Sequence, residues 1–144
     1  MTKGDSAVAK FKDGYNCAQS VLYSFTDDLG LDKNVALKIA NAFGGGMGRK
    51  QEVCGAVSGA LMVLGMTYGR AEGDGKEKQD TTYAKTRELI DAFTAECGTI
   101  KCRELLSGCN LLTAEGQAEF KEKHLIDECH KCVRVSCGIL EKLL

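Results

Sequence analysis

An uncharged segment in the middle of the chain constrains the fold more than any other feature. Residues 54–68 read CGAVSGALMVLGMTY and are almost all apolar or small. A helix that is apolar all round has to be buried, so this segment predicts a central buried helix at about 54–68. Gly55 and Gly59 lie one turn apart on one face of it, where small residues let another backbone approach closely.

The rest of the chain has the periodicity of helices that pack around such a core. Apolar residues recur with a period near 3.6, alternation is scarce, and proline, which breaks helix interiors, is absent. With 144 residues the chain is long enough to bury a core without disulfides. We therefore predict an all-α fold: a single domain, residues 1–144, forming a compact bundle of six or seven helices.

Helix caps and apolar stripes divide this chain into elements. Asn16 and Asp32 are typical N-cap residues, and a helix over 15–28 would bury Ala18, Val21, Leu22 and Phe25. Other predicted stripes are Ala36, Ile39, Ala40 and Phe43; Tyr83, Ile90, Phe93 and Cys97, on a helix capped by Asp80 or Thr82; and Val133, Cys137, Leu140 and Leu144, on a helix opening at Asp127.

Charge and hydropathy exclude several partners. Nineteen basic and twenty acidic residues give a net charge of −1, which argues against binding of nucleic acid or a membrane surface. No apolar run reaches the roughly 18 residues of a membrane span, so membrane insertion is not expected. The start, MTKGDSAVAK, lacks the apolar core of a secretory signal, and we expect a cytoplasmic location.

The eight cysteines are unusual for such a chain and point to sulfur chemistry. In a reducing compartment, many cysteines usually indicate metal or redox chemistry. The single local chelating pair is Cys129 and Cys132, without the second CxxC of a zinc ribbon or the following histidine of a haem-attachment motif.

Four of the cysteines fall in the first turn of predicted helices. Cys17 follows Asn16, and Cys54 follows the glycine run 44–48. Cys102 lies three residues after Thr99, and Cys129 lies two residues after Asp127. The positive end of the helix dipole there stabilises a thiolate, the form that metal ligation and disulfide exchange both require. The alternative is that cysteine serves as a small core residue, which we predict for Cys97 and Cys137.

Four short segments carry a resemblance to a known family. They are 14–20 (GYNCAQS), 54–59 (CGAVSG), 102–106 (CRELL) and 129–133 (CHKCV). Together they resemble the redox-active proteins named for their C_GCAxxG_C_C pattern, over nearly the whole chain from Gly14 onward. The resemblance implies a small bacterial or archaeal protein whose shared cysteines are Cys17, Cys54, Cys102 and Cys129.

The resemblance also implies a cofactor, since related domains in split-Soret-type cytochromes imply an iron–sulfur centre. Four cysteines are the usual ligand set of such a cluster, and four converging thiolates repel one another unless a cation or cluster neutralises them. Cys132 is the first candidate for a substitute or extra ligand, and Cys109 is a weaker one. Backbone N–H groups at Gly45, Gly46 and Gly55 are the expected further contacts to the cofactor.

Three functions follow from these residues. The first is electron transfer through an iron–sulfur cluster of unknown nuclearity, to a partner redox protein that the sequence does not identify. The second is a thiol–disulfide oxidoreductase or redox sensor that uses the same cysteines. The third is a helical interaction module with zinc or without any metal. Close-packing glycine faces would also suit a homodimer, and no residue pattern establishes catalysis.

Two further patterns are expected to carry no chemistry. The glycine run 44–48 does not match a phosphate-binding loop, because Arg49 stands where that motif needs its second glycine. His124 and His130 are expected to be solvated rather than to act as ligands.

Overall fold

The computed structural model describes all residues 1–144, and all its regular elements are helices, with no strand. This confirms the predicted all-α class. Seven helices are eight residues or longer. The helices are α1 (Lys3–Lys12), α2 (Cys17–Ser24), α3 (Thr26–Leu29), α4 (Lys33–Ala40), a 3₁₀ turn (Asn41–Phe43), α5 (Gly44–Met47), α6 (Gly55–Tyr68), α7 (Glu77–Cys97), α8 (Cys102–Leu105), α9 (Ala114–Glu122) and α10 (Ile126–Leu143).

Helix α6 forms the centre of the core, as its uncharged sequence predicts. Most of its residues from Gly55 to Leu64 are buried, and it packs on α2, α7 and α10. The main apolar cluster takes residues from α1, α2, α4, α6, α7 and α10. None of the helices combines the length and the apolar character that a bilayer-spanning segment needs.

Helix α2 starts at the predicted cap and ends earlier than predicted. The Asn16 side chain accepts from the Gln19 backbone N–H at 2.9 Å, and the Gln19 side chain accepts from the Asn16 N–H at 3.0 Å. The predicted stripe of Ala18, Val21, Leu22 and Phe25 is buried. The backbone of Phe25 leaves the helical region, so the single helix predicted over 15–28 is divided into α2 and α3.

Two other stripes were partly wrong. Helix α7 begins at Glu77 rather than at Asp80 or Thr82, and it buries Leu89 and Phe93 while Tyr83 is 55% exposed. In α4, Ala36 and Ala40 are buried, whereas Ile39 is 51% exposed. In each helix the two buried residues are four positions apart, so only a narrow stripe contacts the core. Tyr83 and Ile39 lie beside this stripe and remain exposed.

Helix α10 follows its predicted stripe closely. Val133, Cys137 and Leu140 are buried, and the helix opens at Ile126, one residue before the predicted Asp127. Leu144 lies beyond the last helical turn and is 46% exposed.

A short antiparallel pairing that the sequence did not predict joins the segment before α6 to the segment before α8. The Cys54 N–H donates to the Ile100 carbonyl at 2.7 Å, and the Cys102 N–H donates to the Glu52 carbonyl at 2.7 Å. Val53 and Lys101 form the bridge between them. This pairing holds Cys54 and Cys102 beside each other although they are distant in the chain.

Candidate functional site

Five of the eight cysteines line one cavity of about 130 Å³: Cys17, Cys54, Cys102, Cys129 and Cys132. They are the four cysteines predicted as ligands together with Cys132, the first candidate for a further ligand, whereas Cys109, the weaker candidate, is not part of the lining. They come from α2, from the start of α6, from α8 and from α10, so the fold brings together side chains from four separate segments.

The shared cysteines lie where helices begin. Cys17 is the first residue of α2, Cys54 is the N-cap of α6, Cys102 is the first residue of α8, and Cys129 is the fourth of α10. Cys132 follows Cys129 by about one helical turn. The cavity therefore lies where several helix N-termini meet, an environment that favours negative charge.

Glycines form one wall of this cavity: Gly45, Gly46 and Gly55. Gly46 has a left-handed φ of 65°, and a Cβ built on it would lie 2.7 Å from the Cβ of Cys102. A Cβ on Gly55 would lie 3.0 Å from the Ala18 backbone nitrogen. Larger residues in place of Gly46 or Gly55 would therefore push the cysteine-bearing segments apart.

The remaining lining is mostly apolar. Leu106 belongs to a small buried cluster with Cys102 and Cys109, which covers one side of the cavity. The polar residues at the cavity are Asn16 and Glu128. The apolar lining is completed by Phe11, Leu105, Leu106, Leu111 and Phe120.

Cys54 differs electrostatically from the other cavity cysteines. A hydrogen bond from Cys132 lowers the pKa of Cys54, burial opposes this, and the backbone N–H groups of Ala56 and Val57 add to the lowering. These N–H groups belong to the first turn of α6, so the helix start contributes to the lowering, after the larger effect of Cys132. Cys54 is therefore the sulfur that the site most readily holds as a thiolate.

Its neighbours hold their protons more tightly. A hydrogen bond with Cys129, together with burial, raises the pKa of Cys17 well above its usual range. Burial, with the nearby Cys54 and Cys129, raises the pKa of Cys102 to about 12. The hydrogen bond with Cys54, and then burial, raise the pKa of Cys132 strongly. Among these four cysteines, Cys54 is therefore the one whose pKa the site lowers, while the pKa values of Cys17, Cys102 and Cys132 are raised.

The five cysteines line the same cavity, but they do not form a ready-made site for one metal ion. No three His, Cys, Asp or Glu side chains lie together so as to hold one metal ion.

The other three cysteines lie outside the cavity lining. Cys137 is fully buried, as predicted, and burial raises its pKa to about 11. Cys109 is buried, and its thiol donates to the Gly116 carbonyl at 3.1 Å. Cys97 lies at the end of α7, beside Cys132. It was predicted to be a core residue, but it is only half-buried and packs against the edge of the core.

Two residues near the site were not predicted. His130 is half-buried, meets the Phe11 ring edge-on with 5.2 Å between ring centroids, and has a buried Nε2 without a partner. Its expected solvation was therefore wrong, and its place between two cysteines was the available signal. His124 is exposed, as expected. Gln51 is buried beside the site within a run of charged residues, and no sequence signal marks it.

A comparison with known proteins identifies the family of this chain. The family described as "Putative redox-active protein (C_GCAxxG_C_C)" matches residues 15–143. No curated protein and no solved structure matches the chain. The match covers most of the chain and includes every cysteine that lines the cavity. The chain therefore belongs to the C_GCAxxG_C_C family of redox-active proteins.

Proposed function

We propose that this protein transfers electrons through an iron–sulfur cluster held by Cys17, Cys54, Cys102 and Cys129. The observation that carries the proposal is the gathering of these cysteines around one cavity of about 130 Å³. Cysteine is a common small core residue, but chance burial would not direct side chains from four segments at the same space.

The donor set suits a cluster better than a single ion. Four cysteine thiolates are the usual ligands of [2Fe–2S] and [4Fe–4S] centres. A cluster spreads its cysteines over several irons, so their sulfurs surround a volume instead of meeting at one point. The cavity cysteines come from separate segments of the chain and line one space of about 130 Å³.

The surrounding residues suit the charge that such a centre carries. Backbone N–H groups at helix starts and along the glycine wall are donors that can stabilise anionic sulfur. Leu105, Leu106 and Phe120 give the cavity an apolar lining, which lowers the local dielectric and strengthens these interactions. When bound, the cluster supplies one-electron transfer; the chain supplies ligands, hydrogen bonds and exclusion of water.

Anaerobic purification tests the proposal. We expect a coloured protein with bound iron and acid-labile sulfide, and loss of iron when Cys17, Cys54, Cys102 or Cys129 is changed to Ser. Cys137→Ser is the matched control, because Cys137 is buried outside the cavity lining, and it should retain iron. A colourless preparation without iron after reconstitution would contradict the proposal. Stoichiometric zinc would favour a zinc-stabilised interaction module instead.

A second function is favoured by the contact between Cys54 and Cys132. The pKa of Cys54 is lowered by its hydrogen bond with Cys132, which suits an attacking thiolate with a resolving thiol beside it. The Cys54 thiolate would attack an external disulfide and release one thiolate. Cys132 would then lose its proton and attack the Cys54 sulfur, releasing the second thiol. Two electrons pass from the cysteine pair to the external disulfide.

Thiol counting distinguishes this second function from the first. Mild oxidation of the cluster-free protein by a small disulfide should remove two thiols and give one Cys54–Cys132 linkage in a peptide map, and a dithiol should reverse it. Cys97→Ser is the control variant, since Cys97 also lies beside Cys132 and could pair with it. If no pair oxidises reversibly, the oxidoreductase function is wrong.

A further inference from the structure

Basic side chains cluster on the surface that covers one wall of the cysteine cavity. Lys50, Lys101 and Arg103 line a shallow polar depression there, and all three are exposed. Arg49, which precedes Lys50, is exposed too and lines an adjoining depression together with Gly45. These four cationic residues are called the basic rim.

No cation of the basic rim is paired with a carboxylate. The ion pairs of the molecule lie elsewhere, and their cations are Lys3, Lys33, Lys78, Lys123 and Arg134. Two carboxylates share the depression, those of Glu52 and Glu104, and Glu104 already accepts a hydrogen bond from the Thr99 hydroxyl at 2.7 Å. Four cations against two carboxylates leave a local excess of positive charge on a chain whose net charge is −1. Such a surface attracts a partner of opposite charge.

The basic rim is separated from the cavity by a thin wall. Lys101 and Arg103 flank Cys102 in the chain, and Cys102 lines the cavity. A Cβ built on Gly46, another lining residue, would be 2.7 Å from the Cβ of Cys102 and 2.6 Å from the Cα of Gln51, which lines the depression. Because electron transfer slows steeply with distance, a protein docked on the rim would be well placed to exchange electrons with a centre held by Cys102.

Hydrogen bonds fix the backbone that carries the rim. Gln51 is 3% exposed, its Nε2 donates to the Cys109 carbonyl at 2.6 Å, and its Oε1 accepts from the Leu111 N–H at 2.9 Å. The Arg103 N–H donates to the Gln51 carbonyl at 3.2 Å, which joins the two segments that bear the rim. A surface whose backbone is already fixed loses less conformational freedom when a partner binds.

We propose that the basic rim docks the acidic face of a redox-partner protein, an inference that rests on the proposed iron–sulfur function. In the docked complex one electron leaves the reduced cluster and the acceptor of the partner gains it, with no bond formed or broken. Leu112 is 58% exposed in the same depression and offers an apolar contact among the charges. A protein fits this surface better than a nucleic acid, because Glu52 and Glu104 would repel phosphates.

Calorimetric titration with an acidic flavodoxin as the probe tests the docking. The wild-type protein should bind it at low ionic strength, and the affinity should fall steeply as salt is added. No binding at low ionic strength, or an affinity that does not depend on salt, would overturn the inference. A short DNA duplex is the second probe, and binding of DNA but not of the flavodoxin would also overturn it. These measurements use the native chain, so they do not depend on the folding of a variant.

Charge-reversal variants locate the docking surface. The double variant Lys50→Glu with Arg103→Glu should weaken flavodoxin binding by about tenfold or more, since electrostatic attraction raises association rates by roughly 10–10³-fold. The matched control is Arg87→Glu with Lys142→Glu, which changes the net charge equally at two exposed cations on α7 and α10, outside both rim depressions. Equal weakening in the two double variants would show that net charge alone decides binding and would overturn the inference.

Electron transfer from the cluster-loaded, reduced protein to the flavodoxin tests the consequence. Below saturation, the rate should fall about tenfold or more in the rim variant and stay near the wild-type rate in the control variant. A wild-type rate in the rim variant would overturn the inference and leave the proposed function standing. If no cluster binds, the proposed function fails, and the titrations still decide whether the basic rim docks an acidic protein.

Discussion

Gly59 of α6 lies against the main chain of Ala18 in α2, and a Cβ built on Gly59 would be 2.6 Å from the Ala18 carbonyl oxygen. Gly55, one turn earlier, approaches the same residue, at 3.0 Å from its backbone nitrogen. The glycine pair therefore sets the distance between the two helices, as its spacing predicts. Because α2 starts at Cys17 and α6 starts after Cys54, it also sets the distance between these two cysteines.

Gly59→Ala should destabilise the protein. Alanine favours a helix interior, but the added methyl has no space against Ala18, and overpacking typically costs about 1–3 kcal/mol. Gly65→Ala, on the same helix with no neighbour within 4 Å, should instead stabilise by about 0.5–1 kcal/mol. Urea unfolding of both variants measures the difference. Equal effects would mean that α2 moves away from α6 without cost.

Asn16→Ala should cost more stability than Asp32→Ala. Both side chains cap a helix, Asn16 by accepting from Gln19 and Asp32 by accepting from Val35, each at 2.9 Å. Asn16 also donates to the Asn41 carbonyl at 2.9 Å. With about 1 kcal/mol for a cap and about 1 for a further hydrogen bond, we expect losses near 2 and 1 kcal/mol. Thermal unfolding checks the order, and a larger loss for Asp32→Ala would contradict it.

Asp5 should make stability depend on acid pH. Its hydrogen bond with Arg134 lowers the pKa of Asp5 from 3.8 to about 2, with help from Thr2. Because the folded-state pKa is lowered, the contribution is complete above pH 3.8 and is lost as pH falls toward 2. Both side chains are exposed, so the effect is small. Urea midpoints across this pH window should fall less in Asp5→Asn than in wild type; parallel curves would contradict the prediction.

Cys132→Ser should leave the bound iron in place, whereas Cys129→Ser should remove it. Four cysteines complete a cluster's ligand set, and Cys132 is the one whose thiol hydrogen-bonds to Cys54. Iron and sulfide content after anaerobic reconstitution makes the comparison. Loss of iron in Cys132→Ser would make Cys132 a ligand in place of one of the other four.

Local patterns in the sequence were sufficient for much of the fold. The uncharged segment 54–68 became α6, Gly55–Tyr68, because a helix without charge has no face for solvent. Asn16 and Asp32 cap their helices as expected, because capping depends on residues three apart in the chain. The cysteines at helix starts could be identified for the same reason.

Contacts between distant segments could not be predicted in this way. The pairing of Val53 with Lys101 leaves no pattern in either segment, so no local signal indicated that this pairing holds Cys54 beside Cys102. Gln51 lies among Lys50 and Glu52 and looks like part of an exposed turn. Its burial depends on the loop 109–111, which reaches it only in the folded chain.

The paired segments around Val53 and Lys101 also determine where the chain tolerates changes in length. The turn between α6 and α7 bears no cavity residue and is largely exposed, so residues inserted there would leave every sulfur where it is. One residue inserted between Cys97 and Cys102 would instead shift the register of this pairing by one position. It would turn Cys102 away from the cavity, and the site would lose one of its four shared cysteines.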